Sequence, residues 1–151
     1  MNSTRTVLLV DDNENDVFLM RRAFKKAEFQ FPVHQVRDGE EAIFYLKGEG
    51  IYADRREFPV PAMVLLDLNM PKKNGFEVLA WIQTQPQLQD LTIVVTTAST
   101  RPEDVARAYE LGATCYLVKP SALAELGNMV RTLGDFVTID HFPPRNGMVL
   151  R

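Results

Sequence analysis

MVLLDLNMP, residues 63–71, decides the fold: four apolar residues in succession, then an aspartate. Met63, Val64, Leu65 and Leu66 show no polar alternation, and such a run suits a strand covered on both faces, as in a parallel sheet. Asp67 then places a carboxylate at the strand's C-terminal edge, and Pro71 stops any continuation soon after. A charge there is either solvated at the sheet rim or positioned for chemistry.

Three more runs end the same way. TVLLV (6–10) leads into Asp11 and Asp12, LTIVV (91–95) into Thr96 and Thr97, and CYLV (115–118) into Lys119 and Pro120. A weaker strand, PVHQV (32–36), leads to Asp38 and Gly39, a turn signal. Helical spacing fills the intervals. Val17, Met20, Phe24 and Ala27 recur across 14–28, and Ala42, Ile43 and Leu46 across 40–47. Phe76, Leu79, Ala80 and Gln83, broadened by Val78 and Ile82, mark 75–85. Pro102 suits the first turn of a helix that stops at Gly112, and Ser121 is placed to cap a last helix carrying Leu126, Met129, Val130, Leu133 and Val137. Alternating strands and helices predict an α/β domain: a doubly wound five-stranded parallel sheet, order 2-1-3-4-5, helices on both faces, site at the strand C-termini.

The 151 residues suit one domain, over 1–137, with 138–151 as a tail. Hydrophobic residues make up 46% and charged residues 25%, and the formal net charge is −3. That balance exerts no general pull toward nucleic acid or an anionic membrane. Cys115 is the single cysteine and has no internal disulfide partner. The N-terminal apolar run is too short for a signal-peptide core or a membrane span, so a cytoplasmic protein is expected. The connection at 47–61 exceeds the usual loop length of about a dozen residues; it is either an ordered functional loop or a tolerated insertion.

In the expected fold Asp11, Asp12, Asp67, Thr96, Thr97 and Lys119 meet at one sheet edge. Crowded carboxylates repel one another, and their pKa values rise unless a cation is present. Mg²⁺ suits them, because it takes oxygen ligands and binds through one or two carboxylates plus phosphate. Asp67 is then placed to act as a nucleophile forming an aspartyl phosphate, with Lys119 and a threonine hydroxyl pairing the phosphoryl oxygens. Singly, each residue has a plainer reading: helix N-caps, a surface lysine, ordinary strand threonines. Their coincidence at successive strand ends favours the joint one.

The motifs LLVDDNENDV, LLDLNMPKKNGFEVL, VVTTAST and CYLVKP, in this order, resemble the receiver domain of two-component response regulators over 5–137. The resemblance implies a flavodoxin-like fold and a phosphoacceptor signalling domain, with slow self-dephosphorylation near Asn69 and Ser99 rather than enzymatic turnover. It implies that Asp67 accepts a phosphoryl group from a sensor histidine kinase. Asp12 matches the direct Mg²⁺ ligand, Asp11 its acidic neighbour, and Asn69 the residue whose carbonyl completes the metal site. Lys119 matches the phosphate-pairing lysine, and Lys119–Pro120 a bond usually cis in the family. Thr97 matches the switch hydroxyl, Ala98 its small neighbour, and Tyr116 the aromatic switch, which competes with a plain half-buried strand tyrosine. Gly75 permits the turn before its helix.

The long segment before Met63 is similar to that of single-domain regulators that include partners of bacteriophytochrome kinases. No output module is expected after Val137, and three routes then stay open. They are the receiver surface, a homodimer through the fourth helix, fifth strand and fifth helix (Arg107, Tyr116 and the helix from Ser121), and relay to a phosphotransfer protein. Two other classes compete: a receiver-fold interaction module that signals without phosphate, and an aspartyl-nucleophile phosphatase. The latter wants a second acid two residues past the nucleophile, where this chain has Asn69.

Overall fold

The structure, a computed structural model, describes residues 5–70, 72–120, 123–138 and 149–150. Pro71, Ser121 and most of the expected tail lie outside the described residues. The strands are β1 (Val7–Val10), β2 (Val33–Val36), β3 (Met63–Leu66), β4 (Thr92–Thr97), β5 (Cys115–Val118) and β6 (Val149–Leu150). The helices are α1 (Glu14–Lys26), α2 (Gly39–Lys47), α3 (Gly75–Gln83), α4 (Pro102–Glu110) and α5 (Leu123–Thr138).

All strands pair parallel, in the order β2-β1-β3-β4-β5-β6. The expected order 2-1-3-4-5 is therefore observed, with one addition: Val149 and Leu150 pair with Tyr116 and Leu117 at the outer edge of β5. Two residues without periodic context leave no pattern from which to read a strand.

The unbroken apolar runs are explained by packing on both faces. Leu8, Val10, Val64, Leu66, Ile93, Val95 and Tyr116 pack with α2, α3 and Ala108 of α4. The alternate residues Val7, Leu9, Met63, Leu65, Val94, Cys115 and Leu117 pack with α1 and α5. Burying each such aliphatic side chain contributes about 1.5–3 kcal/mol, so a polar residue is costly anywhere in these strands until their C-terminal ends.

Side chains start three of the helices. Asn13, Asp38 and Asn74 each accept the backbone N–H three residues on, and Glu77 completes a reciprocal capping box with Asn74. Asp38 also lies 3.7 Å from the Lys72 ammonium, which ties the start of α2 to the loop after β3. The same junction depends on a bare Cα. A Cβ on Gly39 would lie 2.1 Å from the Lys73 carbonyl oxygen. Gly39→Ala is therefore expected to lose about 2 kcal/mol despite its better helix propensity. In urea the midpoint should fall with little change in slope; an unchanged midpoint would show that the loop gives way freely. Gly75 is similar: a Cβ there would lie 2.6 Å from the Asp67 carbonyl oxygen, so a close approach, and not only a turn, requires glycine.

The connection at 47–61 is ordered. Gly48, at φ 72°, ends α2 in the left-handed region. The Arg55 guanidinium then reaches back and donates to the carbonyls of Tyr45 at 2.9 Å, Leu46 at 2.8 Å and Phe58 at 3.1 Å. Two of these are carbonyls of the helix's last turn, of which Tyr45 O also accepts from Gly48 N–H at 3.1 Å. Tyr45, Tyr52, Phe58 and His34 cluster beneath the loop, with ring centroids 4.9–6.0 Å apart. The Tyr52 hydroxyl donates to Glu41 at 2.6 Å.

Candidate functional site

Three charged residues stand one position past their strands and are still held by the ladder. Asp11 N–H donates to Val36 O at 3.1 Å, Asp67 N–H to Val10 O at 3.0 Å, and Lys119 N–H to Thr97 O at 2.7 Å. Backbone pairing thus aims their side chains into the crevice at the point where strand order reverses about β1, a place where α/β sheets bind ligands.

The Lys119 ammonium sits among carboxylates. It donates to Asp16 Oδ2 at 2.8 Å, Asp11 Oδ2 at 2.9 Å and Asp67 Oδ2 at 3.3 Å. The other Asp67 oxygen accepts from Asn69 N–H at 3.2 Å, and that of Asp11 from Asn13 N–H at 2.9 Å. Burial pushes the Asp67 carboxyl above its ordinary value and outweighs the opposing pull of the Lys119 charge and the Asn69 N–H. For Lys119 the balance is reversed. Burial works against its charge, but the Asp16 hydrogen bond together with Asp67 and Asp11 raises it above the usual lysine range. The surroundings thus favour the charged form of Lys119, while those of Asp67 leave its charged form disfavoured and not fully offset.

That imbalance suits a divalent cation. Asp11, Asp12 and Asp67 each offer a carboxylate oxygen, all within 4.8 Å of one another, with Asp12 exposed and the other two buried. A hard cation with oxygen ligands matches this donor set. The cleft is about 680 Å³ and is lined by Asp12, Asp16, Asp67, Asn69, Ala98 and Lys119 among others.

Of the residues expected from sequence, Asp11, Asp12, Asp67, Asn69, Ala98 and Lys119 come together here. Thr97 is fully buried at the end of β4, and its hydroxyl accepts from Ser99 N–H at 3.2 Å. Tyr116 is also buried, not half-buried, and its hydroxyl donates to the Ser99 carbonyl at 3.0 Å. The expected cis Lys119–Pro120 bond is not found, because no peptide bond among the described residues is cis. The trans form is the intrinsically favoured one, by about 0.5–1 kcal/mol, and it is compatible with the Lys119 N–H pairing to β4. Asp16 is the site residue that sequence reasoning missed. An acid in a helix's first turn reads as a partner for the helix dipole, and only the fold brings it to Lys119.

This acid-and-lysine pocket on a doubly wound parallel sheet defines a class, and the chain belongs to the response regulator receiver domain family, whose pattern matches residues 7–131. It is 38% identical over 135 residues to response regulator Rcp1 of Synechocystis sp. (strain ATCC 27184 / PCC 6803 / Kazusa), spanning 89% of this chain and 90% of that protein. Among solved structures, the phosphorylated cyanobacterial phytochrome response regulator RcpA superposes with a TM-score of 0.83 at 36% identity, covering 94% of this chain and all (100%) of the other. The Mn²⁺-bound form of response regulator Rcp1 superposes with a TM-score of 0.79 at 35% identity, covering 93% and 99%. The protein is thus a response regulator of two-component signalling. No helix among the described residues is long and apolar enough to cross a membrane.

Proposed function

We propose that Asp67 accepts a phosphoryl group from the phosphohistidine of a sensor histidine kinase, within a receiver spanning 1–137. The carrying observation is the Asp67 carboxylate at the cleft, anchored through one oxygen to Asn69 N–H and through the other to Lys119. An Asp67 oxygen attacks phosphorus, the P–N bond breaks, and its electron pair leaves with the imidazole. Lys119 pairs the charge carried by the transferred oxygens, and Ala98 leaves room beside them. Asp11, Asp12, Asp67 and the Asn69 carbonyl would hold Mg²⁺, which would supply neutralisation of the phosphoryl charge. Water later attacks phosphorus and restores the carboxylate, so the chain times a signal and turns over no substrate.

Output follows the Thr97–Ser99–Tyr116 connection. Movement of Thr97 toward a phosphoryl group disturbs the Ser99 segment to which Tyr116 is bonded, and the surface of α4, β5 and α5 shifts in population. Lys119–Pro120 carries that change to the start of α5. A homodimer through this face, or a downstream phosphotransfer protein, would read it. The likeness to phytochrome and bacteriophytochrome response regulators supports a bacteriophytochrome as the kinase.

Incubation with acetyl phosphate and Mg²⁺ tests the acceptor. The intact mass should rise by one phosphoryl group, mapping to Asp67, and EDTA should prevent it. No gain in mass with Mg²⁺ present would refute the assignment; once labelling is seen, a panel of histidine kinases identifies the donor by transfer rate.

A further inference from the structure

An ammonium has three N–H donors, and Lys119 has a carboxylate in reach for each: Asp16 at 2.8 Å, Asp11 at 2.9 Å and Asp67 at 3.3 Å. It has no donor left over. If Lys119 is to pair a phosphoryl oxygen on Asp67, one of these bonds must give. The three acids are not equal. The side chains of Asp11 and Asp67 are 4% and 9% exposed, and both belong to the trio able to hold a cation. Asp16 is outside that trio and its side chain is 40% exposed, so its carboxylate can return to water at little cost.

The position of Asp16 is fixed by its helix. Its backbone N–H donates to the Asn13 side chain at 2.9 Å, which sets the first turn of α1 and aims the carboxylate across the cleft. We propose that Asp16 is a positioning residue that competes with the phosphoryl group for Lys119. It draws the ammonium toward α1 and thereby sets how tightly the phosphorylated form is held. The proposal rests on Asp67 as the acceptor. Its consequence is tunability: an exposed acid outside the metal trio can change the lifetime of the signal without altering the acceptor.

Binding of beryllium trifluoride, a phosphoryl mimic, at saturating Mg²⁺ tests this by calorimetry. Asp16→Asn keeps the shape and the backbone cap while removing the charge. It is expected to tighten binding about two- to fivefold, the range for a partly exposed ion pair, and to slow loss of phosphate after acetyl phosphate labelling. Asp16→Glu, which keeps the charge, should give a smaller gain. In a Lys119→Met background at the same Mg²⁺, Asp16→Asn should lose most of its effect, because the competition runs through the lysine. Unchanged or weaker binding in Asp16→Asn, or an undiminished gain without Lys119, would overturn the proposal alone. A wild-type protein that neither binds the mimic nor takes phosphate would overturn the acceptor assignment, and the competition with it.

Discussion

Asp67→Asn is expected to reduce phosphoryl incorporation from acetyl phosphate to background while leaving the protein folded. The amide is a poor nucleophile and cannot form the acyl phosphate, and no other carboxylate in the cleft has its surroundings. Asp11 makes the same kind of contacts, to Asn13 and Lys119, but does not line the cleft, and Asp12 is exposed at the rim. Stability should hold or rise. Asp67 is a buried acid whose pKa is pushed up by desolvation, so its charged form is disfavoured in the native state, and the neutral amide removes that cost. Intact mass after labelling, paired with a thermal melt, checks both halves. Full labelling of the variant would move the acceptor elsewhere.

Lys119→Met should do the opposite to the fold. It leaves Asp11 and Asp67 buried side by side with Asp16 and Asp12 nearby and no cation between them. Breaking a buried pair by removing one partner costs about 3–5 kcal/mol, a large share of the roughly 5–15 kcal/mol typical of a domain. Two features distinguish this from a packing defect. First, a divalent cation should restore much of the loss, by about 2.7 kcal/mol at a hundred times its dissociation constant. Second, the variant should gain stability on mild acidification. An acid with a raised native pKa binds its proton more tightly folded than unfolded, so stability falls as pH rises through the window between the two values and returns as pH falls. Urea unfolding with and without Mg²⁺, from neutral pH down to the carboxylate range, measures both. A loss indifferent to Mg²⁺ and pH would show that Lys119 acts by packing.

The strands were legible because this sheet is buried on both faces. A run such as Met63, Val64, Leu65 and Leu66 has only one physical explanation at that length, and the polar residue that ends it marks the sheet edge. That logic located Asp11, Asp12, Asp67 and Lys119 together. It does not reach contacts that depend on side-chain direction across elements. Asp16 reads as a helix-start acid until α1 is laid beside β5. Arg55 reads as one basic residue in a polar loop until the end of α2 is seen to need donors. The threonine pair shows an intermediate case: β4 runs through Thr97, two residues beyond the apolar run, because strand pairing continues where hydrophobic patterning stops. The outer strand at 149–150 has no pattern of its own and is defined only by the edge it meets.

The Arg55 clasp has a practical consequence for anyone wishing to convert this chain into a reporter. A long surface connection is the usual choice for splicing in a fluorescent domain, since such segments tolerate insertions. Here an insertion that pulled the guanidinium away would strip the Leu46 carbonyl of its donor and uncover the aromatic cluster, so the damage would spread into the second helix rather than stay in the splice. Any fusion point chosen in that segment should leave Arg55 and Phe58 on the same uninterrupted stretch of chain.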